Sequence, residues 1–461
     1  MLWSWCSPSI FLPRSIDPYN CRLTAVLPPI LRGVFDMGLF SRLRTSEYAR
    51  HSAILMTGTV ISMLLQTVSF VWLGNYYNDT AMGLYQYLNT AYSILLIAAT
   101  GRYELSVMLP EDDCDGYLLA LLSAGMSVLF SCLLEAGVLI AQFVFGVNPD
   151  WFAFLPATLA VLGVYYSCNY WLNRQKCYIK LAINRVLQGV LFVFFNVSYA
   201  FVLPDRRYGL ILGYLSAQLA VMLILAVYMV LDYRKYWIRV SFARLHELAV
   251  DYVKFPKYSV PAGIVNNLAM HLPVFLLGVL SGSGVVGQYT MMNKVLGAPI
   301  TVISEAIRDV FRQRASRDYA KSGECRAVYR TTGKTLALAA LVPFVLLMLG
   351  AVPAFSAIFG DKWRMAAYFI VMMSPFYYVK FVVSPLTFMA YIAGRQSFDM
   401  KWQIAFCLSS AAAFLLGYFV WHSPYMMMLC FGAAQTILYL YSFFYTRRLS
   451  CGEAKSGKET A

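Results

Sequence analysis

Residues 73–89 read LGNYYNDTAMGLYQYLN, and residues 277–293 read LGVLSGSGVVGQYTMMN. Five residues recur at the same spacing in both stretches, and the two members of each pair are 204 positions apart. The pairs are Leu73 and Leu277, Gly74 and Gly278, Gly83 and Gly287, Tyr85 and Tyr289, and Asn89 and Asn293. Matches at one constant offset indicate an internal duplication, so the sequence predicts two equivalent halves.

Long apolar segments surround both stretches. The chain is 60% hydrophobic and 13% charged, whereas soluble proteins average roughly 45–50% and about 25%. A helix needs about 20 apolar residues to cross a bilayer, and nearly all of the segments reach that length. The sequence therefore predicts an all-α integral membrane protein with twelve transmembrane helices. The segments are 53–73, 83–100, 117–145, 151–172, 181–203, 208–231, 260–280, 285–306, 335–359, 365–392, 402–421 and 425–445.

The basic residues set the orientation of these segments. Thirty of the 37 Lys and Arg residues fall on one side when the segments alternate in direction, and the cytoplasmic side is the one that collects such residues. Both termini are therefore expected in the cytoplasm. The net charge of +14 then reflects orientation and contact with anionic membrane lipids rather than nucleic acid binding.

The longest break between apolar segments divides the chain into two sets of six helices. Because each set starts inside and has an even number of helices, the halves must be parallel, which is the architecture of transporters with a central cavity. Residues 1–36 do not resemble a signal peptide, and we expect an extension that is non-native or disordered, with Met37 as the natural start. The predicted organisation is 1–36 extension, 37–231 first bundle, 232–259 basic linker, 260–446 second bundle and 447–461 cytoplasmic tail. The linker fits an amphipathic segment on the inner membrane surface and a solvated connection equally well.

Three basic residues lie inside predicted helices, where a charge costs at least about 2.5–3.5 kcal/mol and tends to face a partner or a wet cavity. We interpret Lys294 and Lys380 as facing the cavity. Arg185 lies nearer a helix end, so it lines the cavity or extends to the cytoplasmic headgroups. Bases outnumber deep acids, which predicts a positive cavity and an anionic cargo.

Other polar residues accompany these bases. Asn293 precedes Lys294, and Asn89 is its repeat partner. Asn267 and His271 share one helix face, and with Asn266 they line the cavity or bond neighbouring helices. Glu135 is the one carboxylate well inside a predicted helix, and it carries a coupling proton or forms a structural ion pair.

Enzymatic activity is not expected. The predicted outer loops contain only a few residues each, so an extracytoplasmic catalytic domain has no room. The sequence contains neither metal-ligand spacing nor a phosphate-binding Gly-rich loop followed by Gly-Lys-Ser/Thr, so neither a metal nor ATP hydrolysis is expected.

Six blocks carry a family resemblance: GRYELSVMLP (101–110), YWLNRQKCYIK (170–180), GLILGYLSAQL (209–219), FPKYSVPAGIVNN (255–267), the stretch 284–315 and GDKWRMA (360–366). In this order and spacing, the chain resembles the oligosaccharide flippases, or O-antigen and polysaccharide exporters, of the multidrug/oligosaccharidyl-lipid/polysaccharide exporter superfamily.

The resemblance implies a bacterial inner-membrane flippase for undecaprenyl-pyrophosphate-linked oligosaccharides, without a cofactor. It also implies service to lipopolysaccharide O-antigen, capsule or exopolysaccharide synthesis beside a polymerase and glycosyltransferases. By the same resemblance, Arg308 and Arg312 help to receive the headgroup. The alternative is a drug or small-solute antiporter of the same superfamily.

Overall fold

The computed structural model describes residues 47–146, 150–232 and 241–452, and all regular structure in these ranges is helical. The expected start at Met37 and extension 1–36, part of the linker and most of the predicted tail lie outside these ranges. The described residues from Leu55 onward form one compact unit, and every contact discussed below lies within it.

Twelve long helices occupy the twelve predicted positions. In chain order they are α1 (Glu47–Leu73), α2 (Asp79–Ala99), α3 (Asp113–Phe145), α4 (Leu155–Arg174), α5 (Tyr178–Val202), α6 (Gly209–Asp232), α7 (Val260–Ser281), α8 (Ser283–Ser322), α9 (Arg326–Phe359), α10 (Arg364–Val383), α11 (Gln396–Trp421) and α12 (Pro424–Ser450). Nine helices in the described ranges are long and apolar enough to cross a membrane. The apolar part of α1 is shorter, Thr57–Leu73. The membrane crossings of α1, α2 and α8 therefore stay predictions.

Helix α8 is much longer than the predicted segment 285–306. It contains 40 residues, which corresponds to about 60 Å at 1.5 Å per residue. Beyond the apolar segment, Phe311 and Ala315 are four residues apart and therefore share a face. They pack with Cys325 and Tyr329 in a buried cluster, which holds the extension against the start of α9.

The described part of the linker contains a helix, Phe242–Asp251. Its Leu248 is buried, the Tyr103 hydroxyl donates to the Ala249 carbonyl at 2.8 Å, and Arg244 forms an ion pair with Asp115 at 2.6 Å. The helix is thus attached to the connection between α2 and α3. This contact with the protein differs from both predictions for the linker, a segment on the inner membrane surface and a solvated connection.

The repeated glycines form the crossing of α2 and α8. A Cβ atom on Gly83 would lie 1.9 Å from the Ser283 carbonyl oxygen, and one on Gly287 would lie 1.8 Å from that of Asp79. Asp79 and Ser283 are also 204 positions apart, so the two contacts are equivalent under the repeat. The duplication seen in the sequence is therefore a symmetric contact between the halves, made where only glycine allows backbones so close.

Polar contacts next to this crossing join the predicted outer ends of the two halves. We call the group Gln288, Lys362 and Trp363 the outer latch. Trp363 is fully buried, and its Nε1 donates to the Gly74 carbonyl at 2.8 Å. Lys362 Nζ donates to the Asn75 carbonyl at 2.9 Å.

Gln288 completes the outer latch from α8. Its Nε2 donates to the Lys362 carbonyl at 2.8 Å and to Asp79 Oδ2 at 3.3 Å. Its Oε1 accepts from the Ala366 amide at 2.9 Å. One buried amide thus connects α2 with the start of α10, and its hydrogen bonds offset the cost of burying it.

Candidate functional site

Helices α1, α5 and α8 enclose a cavity of about 220 Å³ that contains two basic residues. We call it the cation cavity. Its lining residues are Thr59, Ser62, Met63, Gln66, Thr67, Arg185, Gln188 and Lys294. None of these lining residues is acidic, so the cavity carries two positive charges and polar groups able to solvate an anion.

Each basic side chain is held by a specific contact. Arg185 Nη1 donates to Thr59 Oγ1 at 3.1 Å, while Arg185 Nε is buried without a hydrogen-bond partner. Lys294 Nζ lies 5.2 Å from the centroid of the Phe70 ring, a cation–π distance. Guanidinium and ammonium groups only donate hydrogen bonds, so they provide donors for an acceptor-rich anion.

The local sequence explains how the cavity wall forms. The α1 lining residues follow the spacing i, i+3, i+4, i+7 and i+8, which places them on one helix face. These are Thr59, Ser62, Met63, Gln66 and Thr67. On α5, Arg185 and Gln188 are three residues apart and share a face. Arg185 and Lys294 were predicted from the sequence, whereas this polar stripe on α1 was missed although its periodicity is visible there.

A second cavity, of about 280 Å³, lies between α2, α4, α7 and the short helix Tyr103–Ser106. We call it the Arg102–Glu104 cavity. It is lined by Tyr92, Ser93, Leu96, Ile97, Thr100, Arg102, Glu104, Tyr166, Tyr170 and Asn267. Glu104 is only 7% exposed, and this burial raises the pKa of its carboxyl group. Glu104 Oε2 and Arg102 Nε are buried without hydrogen-bond partners.

The predicted asparagines and histidine divide between helix contacts and this second cavity. Asn267 lines the Arg102–Glu104 cavity, whereas Asn266 is exposed. His271 Nδ1 lies 3.3 Å from Thr90 Oγ1, a hydrogen bond between α7 and α2. Asn89 accepts a hydrogen bond from the Tyr92 hydroxyl.

The remaining predicted residues do not line either cavity. Lys380 Nζ lies 5.4 Å from the Tyr377 ring centroid, and the Tyr377 hydroxyl donates to Asn293 Oδ1 at 2.8 Å. Arg308 pairs with Glu305 at 3.6 Å on the same helix.

Two further predicted residues also lie apart from the cavities. The Arg312 guanidinium carbon lies 5.5 Å from the Phe388 ring centroid. Glu135 is exposed on α3. Within the described ranges, no group of three His, Cys, Asp or Glu residues could hold a metal ion.

Solved structures of several transporters have the same fold. An inward-facing multidrug resistance MATE family transporter of the MOP superfamily aligns with a TM-score of 0.60 and 15% identity, over 87% of this chain and 96% of that chain. The inward closed form of the lipid II flippase MurJ aligns with a TM-score of 0.62 and 11% identity, over 86% and 90%. A MOP superfamily transporter from Pyrococcus furiosus is described as having a binding pocket of reverse polarity. It aligns with a TM-score of 0.51 and 14% identity, over 87% of this chain and 96% of that chain.

One of two sequence comparisons identifies a family. No curated protein matches the chain in sequence. A family profile described as polysaccharide biosynthesis protein matches residues 121–368, which is more than half of the chain. The expected multi-helical fold of membrane transporters is confirmed. The chain belongs to the polysaccharide biosynthesis protein family and has the fold of MOP superfamily transporters.

Proposed function

We propose that this protein flips undecaprenyl-pyrophosphate-linked oligosaccharides from the inner to the outer leaflet of the bacterial cytoplasmic membrane. The observation that supports it best is the cation cavity, where Arg185 and Lys294 lie together without an acidic neighbour among the lining residues. Membership in the polysaccharide biosynthesis protein family supports a sugar-bearing cargo, for O-antigen, capsule or exopolysaccharide synthesis.

The charges of the cation cavity favour a pyrophosphate over other headgroups. Two cations in a half-buried site carry a desolvation cost that an anion offsets, whereas a neutral or cationic cargo leaves the cost in place. Arg offers a planar set of donors that matches phosphate oxygens, and Lys adds a compact charge. The proposed cargo therefore places its pyrophosphate between Arg185 and Lys294.

The rest of the cargo follows from the membrane setting. The undecaprenyl chain is apolar, so it stays in the hydrocarbon region while the headgroup moves through the protein. We propose alternating access, in which the headgroup enters from the cytoplasm while the outer latch is closed and leaves after the halves separate there. A polymerase and glycosyltransferases of the same pathway are the proposed partners.

A flipping assay in proteoliposomes tests this proposal. The cargo is a fluorescent polyprenyl-pyrophosphate oligosaccharide, and the readout is the rate at which it becomes accessible in the opposite leaflet. We expect Arg185→Gln and Lys294→Gln each to lower the rate about tenfold or more, since charge-assisted hydrogen bonds contribute about 1.5–3 kcal/mol. Lys401→Gln is the matched control, because Lys401 is exposed on α11, and it should change the rate less than about twofold.

Three outcomes would count against the proposal in different ways. Full activity of both cavity variants would contradict the role of the cation cavity but leave the flippase function intact. Equal loss in the Lys401→Gln control would show that the assay reports a general charge effect. If the wild type moves no lipid-linked oligosaccharide but exchanges a small solute or drug, the antiporter alternative replaces the flippase.

A further inference from the structure

We infer that the Arg102–Glu104 cavity binds an uncharged sugar ring of the cargo, separately from the pyrophosphate. This inference rests on the proposed function and specifies the part of the cargo that each cavity recognises. It gives roles to Arg102, Glu104, Tyr166 and Tyr170, none of which was predicted as a site residue from the sequence.

Two unpartnered atoms of the cavity define the ligand chemistry. Arg102 Nε is a donor and Glu104 Oε2 is an acceptor, and both are buried without partners. A ligand that satisfies both must accept one hydrogen bond and donate another, as sugar hydroxyl groups do. A phosphate group only accepts, and the Glu104 carboxylate would repel it. The cavity therefore favours a neutral hydroxylated ligand over an anion.

Aromatic side chains supply the second requirement of a sugar site. Tyr92, Tyr166 and Tyr170 line the cavity, and Tyr166 remains 41% exposed although it lies within α4. A tyrosine ring offers an apolar face and a polar edge, which suits the C–H face and hydroxyl rim of a pyranose. The volume of about 280 Å³ lies just below the usual range of ligand sites, about 300–1,000 Å³, so it suits a single sugar better than a complete oligosaccharide.

Each cavity lies next to one of two helix contacts that are equivalent under the repeat. The cation cavity includes Thr67 on α1 and Lys294 on α8. Subtracting or adding the 204-residue offset turns this pair into Thr90 on α2 and His271 on α7, which bond to each other beside the Arg102–Glu104 cavity. The cation cavity therefore lies beside the contact between α1 and α8, and the Arg102–Glu104 cavity lies beside the contact between α7 and α2.

Helix α4 links the two cavities. It carries Tyr166 and Tyr170 of the Arg102–Glu104 cavity, and it packs against α5, which carries Arg185 of the cation cavity. The cavities therefore lie on neighbouring helices, and one headgroup can place its pyrophosphate in the first and its sugar in the second. Two positive charges serve the anionic part, while a balanced pair of opposite charges serves the neutral part.

Binding measurements with two lipids test this division. The probes are undecaprenyl pyrophosphate alone and the same lipid carrying one neutral sugar, tested as a hexose, an N-acetylhexosamine and a deoxyhexose. The purified full-length protein is placed in nanodiscs, and Kd is measured for each lipid. We expect Glu104→Gln to raise Kd about tenfold for the sugar-bearing lipid that binds best and less than about twofold for undecaprenyl pyrophosphate.

Two further variants make the test specific. Tyr166→Ala removes a partly exposed ring, so folding should be retained, and it should reproduce the Glu104→Gln pattern. Lys294→Gln should instead raise Kd for both lipids by the same factor. Thermal unfolding of each variant in the same nanodiscs verifies that the protein is folded.

The results separate failure of this inference from failure of the proposed function. If the wild type binds neither lipid, the proposed function fails and the sugar site fails with it. If the wild type binds both lipids but no sugar improves Kd, the sugar site is overturned while the pyrophosphate site stands. The sugar site is likewise overturned if Glu104→Gln weakens both lipids equally or leaves both unchanged.

Discussion

Tyr377 and Asn293 form a hydrogen bond directly beside Lys294. The Tyr377 hydroxyl donates to Asn293 Oδ1 at 2.8 Å, and both residues belong to the second half. This bond holds α10 against α8 next to the cation cavity while neither partner lines it. We therefore expect these two residues to affect stability more than cargo binding.

The substitution Tyr377→Phe should remove this bond and little else. Hydrogen bonds between membrane helices average about 0.6 kcal/mol, with a maximum of about 1.7 kcal/mol, so we expect a small decrease in Tm and a flipping rate within about twofold of the wild type. Tyr441→Phe is the matched control, because Tyr441 is 59% exposed. Thermal unfolding in one detergent compares them, and identical Tm values would show that the bond contributes nothing.

Individual residues show what the sequence can and cannot predict. Arg185 and Lys294 could be selected because a charge within an apolar segment is costly. Their shared cavity could not be predicted, since the pattern of one helix does not identify the helix that packs against it. Glu104 was missed because it lies near a segment end, where charges usually mark topology. Glu135 lies near the middle of α3, which is why a buried role was predicted for it. Because α3 is apolar on all sides, hydropathy does not identify which face points inward.

At the scale of elements, the crossing of α2 and α8 is the most sharply determined contact. Gly83→Ala and Gly287→Ala would each place a methyl group less than 2 Å from a backbone oxygen. Backbone cannot move aside as a flexible side chain can, so the helices must separate. We expect both variants to lower Tm by several degrees and to weaken the adjacent outer latch.

Gly137→Ala is the control for the glycine variants. A Cβ atom at this position of α3 has no atom within 4 Å, and alanine favours the helix over glycine by about 0.8–1.0 kcal/mol. The Tm of Gly137→Ala should equal or exceed that of the wild type, whereas Gly83→Ala and Gly287→Ala should lower it. If all three variants behave alike, the close approach of α2 and α8 does not exist.

The element level was predicted better than the residue level. All twelve helix positions followed from apolar length, and the repeat predicted two equivalent halves. That the repeated glycines form the contact between the halves was visible only in the structure. The extension of α8 was missed because its amphipathic residues pack on protein outside the apolar segment. The docked linker helix was missed because the Tyr103 and Arg244 bonds that hold it join residues more than 100 positions apart.

Across the whole described molecule, the outer latch and the cation cavity lie at different depths. Lys294 is six residues from the latch residue Gln288 along α8, or about 9 Å at 1.5 Å per residue. The latch therefore separates the cation cavity from the predicted outer side. In the proposed alternating-access cycle, cargo bound between Arg185 and Lys294 leaves outward only after the contacts of Gln288, Lys362 and Trp363 with the first half break.

Replacing Trp363 should shift the equilibrium between the closed and the outward-open states toward the outward-open state. Replacing a buried Trp by Ala in a packed core lowers the free energy of unfolding by about 3–5 kcal/mol. The closed state loses the contact of Trp363 with the first half, whereas the outward-open state lacks that contact already and does not lose it. We expect Trp363→Ala to increase the outward-open population at least tenfold, which requires a differential of about 1.4 kcal/mol. The matched control is Trp421→Ala, because Trp421 is 51% exposed at the end of α11.

Thiol labelling from the outer side measures the shift. Thr67→Cys places a thiol in the cation cavity, and a membrane-impermeant reagent reaches it from outside only when the latch is open. The labelling rate, corrected for the same protein without this cysteine, should rise about tenfold with Trp363→Ala and stay unchanged with Trp421→Ala. A rate that Trp363→Ala leaves unaltered would mean that this residue does not hold the halves together, because a contact present in both states cannot change their ratio.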